Sequence, residues 1–548
     1  MAKTGADLLV ERLLDWGVDT IFSLPGDGIN GIYESLRTHK EKINLVLVRQ
    51  GSAAHDLSGT YWQQDVDLVK LYEDVAACNE RVMGPDHVQT ITDQAIRTAL
   101  GQRTVAHISF PKDLQDWTTS DDKVSTQNVA GHTRPLVVSY EVAPAQAQLQ
   151  KAADVLNAGK KVAILAGRGA LDARAELVQV AELLGAPVAK ALLGKGVLPD
   201  DSPYTTGGLG LLGTSASQDA MESCDTLLLI GTYFPYLEFY PKPGQARTVQ
   251  IDLDATHIGL RTPVEVGLLG DCKTVLQGLL PLLKRQDDRS FLEEAQQHYK
   301  TWNELLTERG TQEAMPMKPQ VIPHTLSPLL NADAIVTCDC GNNTTWAARH
   351  VQMQENTLFS TSGLLATMGA GLPYAIAAQV AYPGRQVVAL VGDGGFTMLM
   401  GELATAVRYK LPIKVFIFNN QALGQIKWEQ IVMEGNPEFG VDLEDIDFAK
   451  YAEACGAAGF TIRENKDAER VIREALAHDG PAVVNCYVDK NEPAMPGKVS
   501  TAQAIEFTKA LARGERDTSE IIKNVLKDQF REAIATKGKS LLSVIPGL

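Results

Sequence analysis

The sequence predicts an α/β protein made of three domains, each built on a doubly wound parallel sheet, and three observations predict this class. Short apolar runs rich in β-branched residues, such as Val387–Val391 and Val415–Phe418, suit strands that are buried on both faces. The apolar residues between these two runs recur at helical spacing: Phe396, Leu399, Met400, Leu403 and Val407. A chain of 548 residues, 45% hydrophobic and 22% charged, is long enough for about three or four such domains.

Breaks in these patterns place the domain boundaries. We expect a first domain over residues 1–128, a second over 142–285, and a third over 318–490, which follows a charged helical linker and a proline-rich stretch. Residues 491–548 are expected to form a helical tail. The apolar face of its amphipathic helix consists of Ile521, Ile522, Val525, Leu526, Phe530 and Ile534. Docking on the body or on a neighbouring subunit is the favoured role of this face, and attachment to a membrane surface is the alternative.

The composition of the whole chain argues against several classes of protein. The formal net charge is −16 and the basic residues form no block, which argues against nucleic acid or an anionic membrane as the main partner. Seven scattered cysteines suit a reducing cytoplasm, and Cys338 and Cys340 lack the second pair of ligands that a zinc site needs. No signal peptide and no run of about 18 apolar residues is apparent, so we expect a cytoplasmic protein without a transmembrane segment.

The stretch from Val387 to Asn420 predicts an anion site with a metal ion. Its first strand ends in Gly392-Asp393-Gly394-Gly395, and the next helix begins at once. Glycines let the backbone approach a ligand, and the free amide groups of a helix N-terminus favour an anion such as a diphosphate. Asp393 would repel that anion unless a cation lay between them, and Asn420 ends the neighbouring strand, where it can offer an oxygen to the same ion. Oxygen ligands of this kind suit Mg²⁺.

A GDG turn alone is typical of many tight turns, but its pairing with an Asn-Asn dipeptide is more specific. Asn420 follows Asp393 by 27 positions. This combination resembles the signature of thiamine-diphosphate enzymes, and the surrounding residues resemble the branch of pyruvate oxidases and acetolactate synthases. In that branch the aspartate, the second asparagine and a backbone carbonyl two residues later hold the metal, which implies Asp393, Asn420 and Ala422 here. The implied diphosphate contacts are the glycines of the turn: Gly392, Gly394 and Gly395.

The same resemblance extends through the third domain. The run Asp339-Cys340-Gly341-Asn342-Asn343 is similar to a family loop that meets the diphosphate, which implies Gly341 and Asn342 as cofactor contacts. Met368 matches the bulky apolar residue that supports the bent cofactor, although a methionine in an Ala/Gly-rich helix is also typical of core packing. Ile426 and Glu429 are implied to line the reaction chamber, and with Met368 they form the implied catalytic set.

The second domain resembles the FAD-binding domain of the same branch. A strand at Val162–Ala166 runs into a Gly-x-Gly turn, and strands at Thr226–Ile230 and Thr248–Leu253 end beside glycine or acidic residues that suit ribose hydroxyls. The positions that match flavin contacts of the family are Gly167, Gly169, Gly231, Tyr233, Pro235, Asp252, Asp254 and Asp271. The alternative is a structural Rossmann-like domain without flavin.

The first domain resembles the family's pyrimidine-binding domain but departs from it after Arg49. The family has a histidine there, followed by a glutamate on a helix, whereas this chain continues with Gln50 and Gly51-Ser52-Ala53-Ala54. The sequence then resumes with a segment that resembles a later part of the family domain. At about 30 residues per strand-helix unit, roughly 60 residues are missing, so the domain is predicted to be truncated. The alternative is a misplaced alignment, in which Asp56 or Asp65 supplies the carboxylate.

The missing glutamate bears on function because, in the family, it drives the deprotonation of the bound cofactor. The resemblance implies decarboxylation of a 2-oxoacid, pyruvate in the simplest case, by thiamine diphosphate and Mg²⁺ with oxidative transfer to FAD. An acetolactate synthase-like carboligase is the alternative within the family. A catalytically impaired cofactor-binding scaffold is the alternative from another class. Family active sites form between subunits, so a homodimer or homotetramer is also implied.

Overall fold

The computed structural model describes residues 2–47, 66–119, 132–136, 142–494, 497, 501–522 and 524. The chain divides into two compact units, Met1–Tyr140 and Glu141–Leu548. All pairings between strands of the described residues are parallel, and helices connect the strands. The predicted α/β class with parallel sheets is therefore confirmed.

The first unit contains two separate two-stranded parallel sheets in its described residues. The helices are α1 (Gly5–Asp15), α2 (Asn30–Thr38), α3 (Leu68–Leu71), α4 (Val88–Gln102) and α5 (Lys112–Asp116). The strands are β1 (Thr20–Ser23), β2 (Asn44–Leu47), β3 (Cys78–Arg81) and β4 (Ala106–Ser109), paired as β1–β2 and β3–β4. Helix α1 begins at a capping box, in which Asp7 N donates to Thr4 Oγ1 and Thr4 N donates to Asp7 Oδ2, both at 3.1 Å. The run Gln50–Ala54 and the alternative carboxylates Asp56 and Asp65 lie outside the described residues.

The two small sheets lead to a prediction about hydrogen exchange. A two-stranded sheet buries little apolar surface, so it opens more easily than a six-stranded sheet covered on both faces. We expect the amides of β1–β4 to exchange at least about tenfold faster than those of the larger sheets of the second unit, which is a difference of about 1.4 kcal/mol in opening free energy. Exchange measured by mass spectrometry on the full chain tests this. Equal protection of residues 2–119 and 330–490 would contradict it.

The first half of the second unit is a six-stranded parallel sheet. Its strands are β5 (Val162–Ala166), β6 (Val188–Lys190), β7 (Thr205–Gly208), β8 (Thr226–Ile230), β9 (Arg247–Asp252) and β10 (Val266–Leu269). Its helices are α6 (Gln146–Ala158), α7 (Arg174–Leu184), α8 (Ser215–Ser223), α9 (Cys272–Leu279) and α10 (Ser290–Gly310). The strand order is β10-β9-β8-β5-β6-β7, so the direction of winding reverses between β5 and β8. Ligands of doubly wound sheets bind at such a switch point.

The second half of this unit is another six-stranded parallel sheet. Its strands are β11 (Ile335–Cys338), β12 (Leu358–Thr361), β13 (Val387–Gly392), β14 (Lys414–Asn419), β15 (Ala458–Ile462) and β16 (Ala482–Tyr487). Its helices are α11 (Val321–Leu326), α12 (Asn342–His350), α13 (Gly371–Ala381), α14 (Asp393–Leu399), α15 (Leu403–Arg408), α16 (Gly424–Trp428), α17 (Phe448–Cys455) and α18 (Asn465–Ala477). Successive residues of β13 enter two different apolar clusters, one on each face of the sheet. The order β12-β11-β13-β14-β16-β15 places the switch point between β11 and β13.

Helix α6 begins at Gln146 with Ala145 as its N-cap. The helical linker predicted before the third domain corresponds to α10, which is packed against the rest of the unit, because Phe291, Leu292, Trp302, Leu305 and Leu306 are buried.

The described part of the tail consists of α19 (Thr501–Ala512) and the residues up to 524. Ile521 is fully buried in an apolar cluster with residues of the body. This packing agrees with the docking role, whereas Val525, Leu526, Phe530 and Ile534 lie outside the described residues. Within the described part of the chain, no helix combines the length and the apolar character that crossing a membrane requires.

Candidate functional site

The switch point of the second large sheet brings two carboxylates to the ends of neighbouring strands. Asp339 directly follows β11 and Asp393 directly follows β13, and these two strands are paired in register. Asp393 is also the first residue of α14, so the amide groups of the first turn surround it. The sequence predicted Asp393 here, but it did not single out Asp339.

Asp393 is buried and held by backbone amides. Its Oδ1 accepts from Gly394 N at 2.8 Å, and its Oδ2 accepts from Gln421 N at 2.6 Å. Burial raises the pKa of Asp393 to about 6 from its ordinary 3.8, and these amides only partly offset the effect. A carboxylate in this environment has much to gain from a cation beside it.

The other two predicted metal ligands lie on one short segment that contacts Asp393. Gln421, which binds Asp393, stands between Asn420 and Ala422. Asn420 Oδ1 accepts from Ala422 N at 3.1 Å, and the Ala422 carbonyl accepts from Gly424 N at 2.8 Å, which leaves a lone pair on each oxygen. Among the described residues, no three His, Cys, Asp or Glu side chains cluster as a metal site. A metal here would depend on one carboxylate with amide and carbonyl oxygens, which is a donor set that Mg²⁺ accepts when phosphate completes it.

The glycines of this site pack closely against neighbouring side chains, so a side chain at either position would clash. A Cβ on Gly394 would lie 3.0 Å from Leu423 and Leu443 and 3.4 Å from Met368. A Cβ on Gly424 would lie 2.6 Å from Asn342 Nδ2 and 3.0 Å from Asn420 Nδ2. Asn342 Oδ1 is buried without a hydrogen-bond partner. This unpartnered oxygen, close to Asn420, fits a cation or a hydrogen-bond donor supplied with a bound cofactor.

Three further glycines of the predicted set occupy the same place. Gly341 has φ +147°, a left-handed backbone that other residues rarely adopt, and it precedes α12. A Cβ on Gly392 would lie 3.5 Å from Asn343 Oδ1, and one on Gly395 would lie 1.5 Å from Asp339 Oδ2. The structure therefore brings the predicted diphosphate and metal residues together at a single switch point.

The predicted catalytic residues border this site. Met368 is half-buried, and its Cε would lie 3.4 Å from a Cβ on Gly394. Ile426 on α16 is 45% exposed, although an apolar side chain of this size normally avoids water. Glu429 begins a π-helical turn, Glu429–Met433, and its Oε1 accepts from Gln425 Nε2 at 3.2 Å. Such turns are often found at functional sites.

Asp339 is the residue that sequence reasoning missed. It is 1% exposed, its Oδ1 accepts from Ala370 N at 2.9 Å, and its Oδ2 has no partner. Burial raises the pKa of Asp339 to about 6 from its ordinary 3.8. The signal was available, because Asp339 is the first residue after a buried strand in the same way as Asp393.

This carboxylate predicts a pH effect on stability. The pKa of Asp339 is 3.8 in the unfolded chain and about 6 in the folded protein, so folding favours its protonated form. Its contribution to stability is therefore full below about pH 4 and is lost as the pH rises through about 6, a difference of about 3 kcal/mol. Asp339→Asn should raise the urea midpoint of the metal-free protein at pH 8 and leave it nearly unchanged at pH 4. A midpoint at pH 8 equal to that of the wild type would contradict this.

The glycines of the candidate flavin set meet at the other switch point, between β5 and β8. A Cβ on Gly169 would lie 2.8 Å from Gly231 Cα, and one on Gly167 would lie 2.7 Å from the Gly231 carbonyl. Gly231 itself has φ +58°. Close packing between backbone segments therefore accounts for these glycines whether or not a dinucleotide lies above them.

The acidic residues of the flavin set have local partners in the structure. Asp271 caps α9 by accepting from Lys273 N at 3.0 Å, and Asp254 accepts from Thr256 N at 2.8 Å. Asp252 Oδ1 accepts from Asp254 N at 3.0 Å and lies 3.2 Å from His257 Nδ1. Tyr233 packs on the His257 ring with centroids 4.0 Å apart, and Pro235 is exposed. Structural roles thus explain the acidic residues as well.

Three sequence families match consecutive parts of the chain. Residues 3–63 match the family described as "Thiamine pyrophosphate enzyme, N-terminal TPP binding domain". Residues 149–279 match the central domain, and residues 339–486 match the C-terminal TPP binding domain of the same enzymes.

Similar proteins agree with these matches. The chain is 35% identical to a Bacillus subtilis (strain 168) protein named "Putative thiamine pyrophosphate-containing protein YdaP", over 93% of this chain and 96% of the relative. It is 27% identical to a pyruvate oxidase of Lactiplantibacillus plantarum, over 88% of each chain. It is 28% identical to an acetolactate synthase large subunit of Porphyra purpurea, over 92% of this chain and 96% of the relative.

The alignment with the Bacillus protein is longer than the part of this chain that it covers. It spans 561 residues, whereas 93% of 548 residues is about 510, so about 50 aligned positions have no residue here. Domain matches, relatives and site geometry point in the same direction. The chain belongs to the thiamine pyrophosphate-dependent enzymes, in the branch of pyruvate oxidases and acetolactate synthases.

Proposed function

We propose that this protein binds thiamine diphosphate with Mg²⁺ at the switch point between β11 and β13 and decarboxylates a 2-oxoacid, pyruvate in the simplest case, with oxidative transfer to FAD. The observation that carries the proposal is the oxygen donor set of Asp393, Asn420 and Ala422 beside the buried, unpartnered Asn342 Oδ1. With domains at 142–285 and 318–490, the flavin would bind at the first six-stranded sheet and the diphosphate at the second.

The roles of the residues follow from their chemistry. Thiamine diphosphate, when bound, supplies the carbon nucleophile that adds to the ketone of the substrate and accepts the electrons released with CO₂. Asp393, Asn420 and Ala422 would hold the metal against the diphosphate, and Gly341, Asn342 and the Gly392–Gly395 turn would cradle the phosphates. Met368 would support the cofactor from below, and Ile426 would keep water away from the reacting carbon.

Glu429 is the ionisable side chain of the implied catalytic set. The pKa of Cys340 is raised by burial first and then by the negative charges of Asp339 and Glu429. The pKa of Tyr236, on the loop after β8, is raised by burial and then by charges that include Cys340 and Glu429. These effects support a position of Glu429 near both the diphosphate loop and the loop that the flavin would approach.

Flavin is supported by the pyruvate oxidase relative, since structural roles already account for the matched glycines and acidic residues of the central domain. The decisive measurement is the absorption spectrum of the purified protein before and after anaerobic addition of pyruvate. A flavin spectrum that bleaches with pyruvate supports the oxidase. A flavin that stays oxidised while acetolactate accumulates favours the carboligase.

A catalytically impaired scaffold is the second candidate, because the family glutamate has no counterpart at Gln50–Ala54 and the alignment leaves about 50 positions without a residue here. Exchange of the cofactor C2 proton, followed by NMR with added thiamine diphosphate and Mg²⁺, distinguishes an active enzyme from an impaired scaffold. Brisk exchange excludes the scaffold. Tight binding with no exchange above the rate of free cofactor supports it.

The site is also expected to require a second copy of the chain. Five large apolar side chains on the segments that carry or adjoin the site residues are exposed in the described part of the chain: Leu364, Leu365, Met398, Ile426 and Phe439. A surface of this kind suits an interface with another subunit. We therefore propose a cytoplasmic homodimer or homotetramer, and sedimentation analysis would show a monomer if this is wrong.

A further inference from the structure

The tail segment, which we define as residues 501–522, packs on the loop formed by residues 434–443. This loop follows the π-helical turn of the candidate site. Tail residues Ala510 and Ile521 are fully buried against Trp428, Ile431 and Val432 of the body. The tail segment is therefore part of the folded unit at this point, and the contact is apolar at its centre.

A buried lysine joins the loop to the tail segment. Lys427 on α16 has no solvent exposure, and its Nζ lies 2.9 Å from Glu438 Oε2 and 2.6 Å from Asn491 Oδ1. The other Glu438 oxygen lies 2.6 Å from Arg516 NH2 of the tail segment. Burying a charge is costly unless it is paired, so Glu438 is fixed between a cation of the body and a cation of the tail.

Further contacts hold the loop at both ends. Arg513 NH1 donates to the Gly435 carbonyl at 2.9 Å, and Arg516 NH2 lies 2.8 Å from Asp442 Oδ2. In addition, Glu438 N donates to Glu515 Oε2 at 2.8 Å. The tail segment thus contacts the beginning, the middle and the end of the loop.

The loop in turn pairs with the segment that carries the proposed metal ligands. Leu423 N donates to the Val441 carbonyl, and Leu443 N donates to the Gln421 carbonyl, both at 2.8 Å. Ala422 and Asp442 form an antiparallel bridge between these two bonds. Gln421 has φ +55°, which is strained for a residue other than glycine and persists only when its surroundings fix it.

These contacts form a continuous series of interactions from the tail segment through the loop to Ala422. We propose that Lys427 and Arg516 are positioning residues, through which the tail segment fixes residues 420–423 and thereby sets the affinity of the site for Mg²⁺ and thiamine diphosphate. The inference deepens the proposed function and rests on its assignment of Asn420 and Ala422 to the metal. Neither residue has to touch the cofactor for this effect.

The test compares Arg516→Met with Arg470→Met in the full chain. Arg470 is a matched control, because it is an exposed arginine that also pairs with two carboxylates, Asp467 and Glu474, but lies on α18. We expect Arg516→Met to increase hydrogen exchange in residues 420–423 and 441–443 of the metal-free protein about tenfold. We expect it to weaken Mg²⁺ binding, titrated by calorimetry in the presence of thiamine diphosphate, about fivefold. Arg470→Met should change neither quantity.

A second variant distinguishes the loss of positioning from a folding defect. Lys427→Met alone would leave Glu438 buried without its main partner, so it is combined with Glu438→Gln, which removes both charges together. This double variant should show the same two effects, with circular dichroism of the wild-type form.

Unchanged exchange in Arg516→Met overturns the inference, and so does faster exchange with unchanged Mg²⁺ affinity. If the wild type fails to bind Mg²⁺ with thiamine diphosphate, the proposed function is wrong. The exchange measurement needs no ligand, so it still decides whether the tail segment holds residues 420–423 in place.

Discussion

Asp393→Asn is expected to weaken Mg²⁺-dependent binding of thiamine diphosphate by at least about a hundredfold, which corresponds to roughly 3 kcal/mol. The carboxylate is the charged member of the proposed metal set, and it is buried where water cannot replace a lost ligand. An amide of the same shape keeps one oxygen acceptor but loses the negative charge. Calorimetric titration of cofactor and metal into the full chain measures the effect.

The control for this variant is Asp154→Asn, which changes an exposed carboxylate on α6 far along the chain from the site. The metal-free Asp393→Asn protein should melt within a few degrees of the wild type, because loss of a buried charge offsets loss of one hydrogen bond. Binding as tight as that of the wild type would show that Asp393 is not a metal ligand. The proposed function would then lose its main support.

Gly395→Ala is expected to lower the free energy of unfolding by about 3 kcal/mol or more. The added Cβ would lie 1.5 Å from Asp339 Oδ2 and 2.7 Å from its Cγ. Asp339 cannot move away easily, because its other oxygen accepts from Ala370 N at 2.9 Å and the residue is 1% exposed. Chemical denaturation of the metal-free protein measures the loss.

Gly401→Ala is the matched control, because a Cβ there meets no atom within 4 Å, and the expected change is within about 0.5 kcal/mol. Combining Gly395→Ala with Asp339→Ala should restore part of the loss, since the smaller side chain leaves room for the methyl group. Additive effects of the two substitutions would show that the clash with Asp339 is not the cause.

Sequence reasoning succeeded where the signal was local. The strands Val162–Ala166 and Thr226–Ile230 have the predicted bounds, because a buried parallel strand is a continuous apolar run between punctuating residues. The glycine turn after β13 was visible for the same reason. The family could be predicted from the spacing of Asp393 and Asn420, because that spacing is set by a single strand-helix-strand unit.

Apart from Asp339, the missed features depend on residues far apart in the chain. Arg516 and Glu438 are 78 positions apart, and nothing near either residue indicates that they meet. The separation of the described strands of the first unit into two small sheets likewise depends on which strands pair, and a pattern along the chain does not contain that information. The flavin glycines show a further difficulty, because one motif can satisfy packing and binding together.

The packing of Gly167, Gly169 and Gly231 has a consequence for how cofactors are gained and lost in this branch. Selection for a folded sheet would keep all three glycines even in a lineage that had stopped binding FAD, because any side chain there would separate two backbone segments that touch. The glycine pattern therefore indicates the ancestry of the domain and does not indicate whether flavin is bound. Whether a present-day member carries flavin has to be read from residues that the sheet itself does not need.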